Sequence, residues 1–171
     1  TSQGGAALAG AIILKTKDPT FIPETTVKVG IAEYDTYDFA IANSGPITDT
    51  LAYRVVFDYD ETDGFIDNPV RNADDNDFEE SILGRIKLLY EPIDSDFRAL
   101  LTYSYYNDER GSALVWDPDD EEFINRSVFQ DTTENDQDTL SLELNYDVSE
   151  TLRFTSITAA NDYTGTFTEN R

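Results

Sequence analysis

The residues that could do chemistry are carboxylates. Two acidic runs stand out: Asp74, Asp75, Asp77, Glu79 and Glu80, then Asp117, Asp119, Asp120, Glu121 and Glu122. Oxygen ligands at that density could hold Ca²⁺, which takes six to eight of them, or could supply a general acid/base pair for glycoside hydrolysis. The stretch from Asp58 to Gly64 resembles a calcium loop, but its glycine falls one place late for the EF-hand turn and Asp58 reads as part of a strand. Like-charge blocks usually stay hydrated, so solvated loops are the simpler expectation. Arg71, Tyr106, Arg110 and Trp116 fall in the same long loops and are the candidates for gripping a ligand by charge or stacking. Gly5 and Gly10 have phosphate-loop spacing, but Ala11 and Ile12 stand where Lys and Ser/Thr must follow, so a nucleotide would meet no cation. Asn125, Arg126 and Ser127 fit a glycosylation acceptor.

Composition narrows the classes further. The 171 residues include 12 Lys plus Arg against 35 Asp plus Glu, a net charge of -23, and neither Cys nor His. Disulfides, Cys/His zinc sites, thiol nucleophiles and a Ser-His-Asp relay are excluded within this chain. Scattered basic residues in so acidic a chain exclude a nucleic-acid binder. A hydrophobic content of 39% is too high for a disordered acidic tail. The apolar run Ala6 to Leu14 lacks a basic flank and reads as interior sequence, not as a signal peptide. No stretch reaches the roughly 20 apolar residues of a spanning helix, a test that says nothing about strands.

The elements that must position these residues are strands. Leu51, Tyr53, Val55, Phe57 and Tyr59 share one face while Arg54, Asp58 and Asp60 share the other. The same alternation recurs at Val27 to Ile31, Tyr37 to Ile41, Ile82 to Tyr90, Phe97 to Tyr105, Leu140 to Tyr146 and, less cleanly beyond Ser156, from Leu152 to about Tyr163. Short connections (Asn43 to Thr50, Glu91 to Asp96, Asp147 to Thr151) alternate with long ones (Glu61 to Glu79, Asn107 to Asp138), and only the tight hairpin at Glu33 to Thr36 departs from this. Lys28, Arg54, Arg85, Lys87 and Arg98 all fall on the non-apolar faces. The expectation is an all-β antiparallel up-and-down meander of about seven strands, part of a transmembrane β-barrel with short turns at one end and long loops at the other. Tyr90 and Tyr146 before short turns, and Tyr59, Tyr103 and Tyr105 before long loops, match aromatic girdles. The alternative is a secreted acidic β-sandwich that binds calcium or carbohydrate.

Three ordered segments carry a family resemblance. Gly4 to Pro19 resembles the closing motif of a plug domain, Ser44 to Arg54 continuing to Asn68 a first periplasmic turn and strand, and Lys87 to Pro92 the next strand and turn. Together the chain resembles a piece of a TonB-dependent outer-membrane receptor. The resemblance implies a plug terminus at residues 1–22, the N-terminal barrel strands at 23–171, and active import of a scarce nutrient across the outer membrane of a Gram-negative bacterium. The typical cargo is an iron-siderophore complex, with cobalamin and sugars as others. It also implies the lipid of that membrane and TonB as partners, the latter through an N-terminal box absent here. No enzyme activity, cofactor or resident metal is expected. Seven strands make about a third of a barrel of about 22, so the two edge strands are expected to pair with further chain. The acidic loops favour neutral or cationic cargo within about 8 Å, the Debye length at physiological salt.

Overall fold

The computed structural model describes residues 15–112 and 123–169. It shows seven antiparallel strands in one open sheet, in sequence order: β1 (Glu24–Ala32), β2 (Thr36–Thr48), β3 (Leu51–Thr62), β4 (Glu79–Tyr90), β5 (Phe97–Arg110), β6 (Asp131–Ser149) and β7 (Leu152–Glu169). The all-β meander expected from the alternation is therefore present. No second sheet covers it among the described residues, so these strands do not form a two-sheet sandwich. Among the described residues, β1 and β7 each have one edge with no neighbouring strand.

Loop lengths alternate as expected, but the strands run further than the apolar alternation reaches. Asn43 to Thr48, read as turn, belongs to β2; a bulge between Pro46 and Thr48 absorbs the proline, leaving a two-residue connection. The loop expected at 107–138 shrinks to 111–130, because β5 continues to Arg110 and β6 begins at Asp131. Tyr106 and Arg110 are thus strand residues. Polar side chains knit these extensions: Tyr105 and Asn107 both donate to Asp136, and Asn135 donates to Asp108. In β7 the parity resolves with Ile157 on the same face as Arg153. The tight hairpin leaves Glu33, Tyr34 and Asp35 between the paired Ala32 and Thr36, and places Tyr34 (φ 62°) and Asp35 (φ 47°) in the left-handed region.

Register brings the apolar rows together. Val29 pairs Phe39, which pairs Tyr59, which pairs Ile82; Tyr53 pairs Leu88, then Leu101, then Leu142. One face of the sheet carries a continuous apolar band across β1 to β6, and it lies open: Val29 is 69% exposed, Phe57 40%, Leu140 49%. The small buried core, Ala52, Leu89 and Leu100 with Phe21 against it, lies on the opposite face.

The apolar band crosses the sheet diagonally. Ile31 in β1 lines up through the register with Tyr37, Glu61, Glu80, Glu109 and Glu134, yet in β6 the last apolar residue of that face is Leu140, six residues further along. Six residues span about 20 Å of strand and five inter-strand steps about 24 Å, so the band runs about 40° off the register line. Its other border runs from Val27, which lines up through the register with Asp138, to Tyr146, eight residues or about 27 Å further along, a slope of about 48°.

Candidate functional site

Two polar assemblies sit on this sheet, one at each end. At the short-turn end, residues 15–23 lie across the face opposite the apolar band. Asp18 accepts from Lys87 Nζ at 3.0 Å and from Arg98 Nη2 at 2.8 Å, and Lys87 also donates to the Thr16 carbonyl at 3.1 Å. Glu24 accepts from Lys17 and Arg54, each at 2.6 Å. The Thr20 amide donates to Ser44 Oγ, which donates in turn to the Tyr53 carbonyl. Phe21 closes the small core beneath. Lys87 is only 5% exposed, which a lysine tolerates only because Asp18 and a carbonyl meet its ammonium.

Partial burial raises Asp18, but the hydrogen bond from Lys87 and the charges of Lys87, Arg98 and Lys15 outweigh it and hold its carboxyl below the usual value of 3.8.

At the other end, the β3–β4 and β5–β6 loops are stapled together by buried amides. Asn68, fully buried, donates to Asn76 and Asn125 at 3.4 Å and to the Ser127 carbonyl at 2.9 Å. Asn76 donates to the Ser112 carbonyl at 2.7 Å, and the Asn125 amide N–H to the Asp67 carbonyl at 2.8 Å. Gly64 (φ 83°) turns the chain so that Asp77 Oδ1 can accept from the amides of Phe65 and Ile66; a Cβ at Gly64 would lie 2.3 Å from that oxygen. Beside this knot are a concavity of about 240 Å³, rimmed by Asp35, Asp63, Asp67 and Asp74, and the ring contacts of Phe65 with Tyr34 and Phe123. Burial first, then the charges of Asp35, Asp75, Asp74 and Glu61, pushes Asp63 above 3.8.

These opposite shifts predict an ordered acid response. Asp63, raised, opposes the loop fold while charged, and lowering the pH through its folded value relieves that repulsion. Asp18, lowered, contributes its full stability above 3.8 and loses it only as pH falls below that, through its folded value. Hydrogen exchange across an acid titration is expected to show the loop amides of Ile66 and Asn76 holding or gaining protection before the Thr20 amide loses it. Simultaneous loss at both ends would contradict this.

The sequence-derived ligand candidates do not converge. Arg71 is engaged inside the loop knot, donating to Asn76 Oδ1 at 2.9 Å and Gln130 Oε1 at 2.7 Å. Arg110 holds the buried Asp108. Tyr106 lies on the face opposite the apolar band, in register with Leu83 and Gln137. Trp116, the second acidic run and the Gly4 to Leu14 part of the plug-like motif lie outside the described residues. Asn125, read from sequence as a glycosylation acceptor, is 4% exposed and caps the Ser127 amide at 2.7 Å, so its side chain is committed to the fold. Among the described residues, no group of three or more carboxylates is arranged to hold a metal ion. Asn68 and Asn76 gave no sequence signal, because an asparagine in an acidic loop reads as solvated until a second loop covers it. No protein-family model matches this chain, and no solved structure matches it at a significant level.

Proposed function

We propose that this chain is a section of an outer-membrane barrel wall with the end of a plug against it, in a receptor for TonB-dependent import of a scarce nutrient, foremost an iron-siderophore complex. The observation that carries this reading is the diagonal apolar band. A band lying in the membrane plane whose borders slope at about 40° and 48° to the register requires strands tilted by about the same angle from the membrane normal, close to the 35–45° of membrane barrels. Tyrosines follow both borders: Tyr37, Tyr59 and Tyr105 step down along one, Tyr53, Tyr90 and Tyr146 along the other, each advancing with the register shift. Tyr59 donates to Glu61, and Tyr103 and Tyr105 donate to Asp138 and Asp136, as rings with one apolar and one wet end do at an interface. On the other face, the Asp18 and Glu24 contacts are those of a plug end held by the wall. The free edges of β1 and β7 are then where further strands add. The import function and its cargo rest on the family resemblance.

The lack of cysteine makes the test clean. Single cysteines at Val55, Leu101 and Leu140, labelled with a fluorophore in membrane vesicles carrying the protein, are expected to be quenched by brominated lipid, and those at Val56, Ser104 and Thr139 are not. Equal quenching of both sets, or of neither, rejects the barrel wall. Import is tested by deleting the gene in its host and measuring uptake of ferric siderophores; unchanged uptake of every siderophore tried rejects that cargo class.

A further inference from the structure

Among the described residues, one cation on the polar face of β1 to β5 meets no carboxylate. In a chain of net charge -23, Lys28, Arg54, Lys87 and Arg98 on this face each meet a carboxylate. Arg85, in the middle of the same face, meets none among the described residues. Its Nε donates to Ser104 Oγ at 2.9 Å, and its two terminal nitrogens have no partner among the described residues. Its nearest carboxylate by register, the diagonal Asp58, faces Lys28 and Asp60. Arg85 lies in a concavity of about 290 Å³ lined by Leu83, Ser104, Tyr106, Gln137 and Thr139. The floor is ordered by its own bonds: Gln137 and Thr139 both donate to Asn161 Oδ1, at 2.8 and 2.7 Å. Among the described residues the Gln137 side-chain carbonyl accepts no hydrogen bond, and Tyr106 forms one wall, its hydroxyl lying toward Ser81 and Asp108.

We propose that this concavity binds a small hydroxycarboxylate. The free edge of the Arg85 guanidinium offers two parallel N–H donors, the geometry that matches a carboxylate. The surrounding hydroxyls and amide match neighbouring hydroxyl groups on the ligand, and the volume, at the low end for ligand sites, suits a molecule of a few carbons. The carboxylate cannot come from residues 1–14, which contain no Asp or Glu. The assignment needs only the polar face and stands whether or not the opposite face meets lipid, so its test is independent of the quenching experiment.

Titration calorimetry of the purified protein with sodium gluconate is the test, with sorbitol (the hydroxyls without the carboxylate) and acetate (the carboxylate without the hydroxyls) as comparisons. Gluconate is expected to bind at least about tenfold more tightly than either, since each lacks charge-assisted or neutral hydrogen bonds that the site makes. Arg85→Gln is expected to weaken gluconate at least about tenfold, with unchanged melting. Should Arg85→Gln not fold, Arg85→Lys, which keeps the charge and loses the fork, is expected to weaken binding at least about threefold. No gluconate binding by the wild-type protein, sorbitol or acetate binding as tightly, or gluconate affinity indifferent to Arg85 overturns the proposal.

Discussion

If the proposed barrel wall is right, Leu101→Arg is expected to destabilise the protein in lipid by about 2 to 4 kcal/mol, the cost of an arginine on a lipid-facing barrel position near the midplane. Leu101 is the natural site because the apolar stretch of β5 runs from Phe97 to Tyr105 and Leu101 is its centre. It is 39% exposed in the sheet, between Leu88 and Leu142. Ser141→Arg is the matched control. It puts the same side chain at nearly the same depth on the opposite face, within reach of Glu143, and should change stability by less than about 0.5 kcal/mol. Urea unfolding in lipid vesicles measures both. A water-facing apolar sheet would tolerate Leu101→Arg as well as Ser141→Arg, and that equality would remove the membrane reading.

Asp18→Ala is expected to cost about 2 to 3 kcal/mol. The side chain of Lys87 is 6% exposed, and without Asp18 its ammonium keeps, among the described residues, the Thr16 carbonyl alone. Removing one member of a buried pair costs roughly 3 to 5 kcal/mol, discounted here because Asp18 is itself 23% exposed. Arg98 is less affected, since Glu91 and Glu143 remain at 3.1 and 3.5 Å. The orphaned charge is the mechanism, so Lys87→Met added to Asp18→Ala should recover most of the loss, a coupling that a double-mutant cycle isolates. Local exchange at the Thr20 amide should rise in the single variant and fall back in the double. A double variant no more stable than Asp18→Ala alone would mean that the segment is held by Phe21 and Ser44, and not by its charges.

The faces of the strands were legible because alternation is local. Each of Leu51 to Tyr59 or Leu140 to Tyr146 carries its own period, and the polar residues opposite, Arg54 in the first and Ser141, Glu143 and Asn145 in the second, mark the parity. The ends of the strands were not. Nothing in Asp131 to Asp138 alternates between apolar and polar, and that stretch is extended only because β5 and β7 lie beside it to take its backbone hydrogen bonds. The candidate residues suffered the same way. Arg71 and Arg110 look available in an acidic loop until Asn76, Gln130 and Asp108 take them, and Arg85 looks like one more wall cation until the other four prove to be paired.

Type and order of residues were enough to point to an all-β meander whose strands mostly carry one apolar and one polar face, because a side chain's face depends only on its own backbone. How the strands slide past one another was settled only in the folded sheet. The slope of the apolar band, the stapling of two distant loops by three asparagines and the solitude of Arg85 all depend on register and on contacts between residues far apart in the chain, which no local pattern encodes.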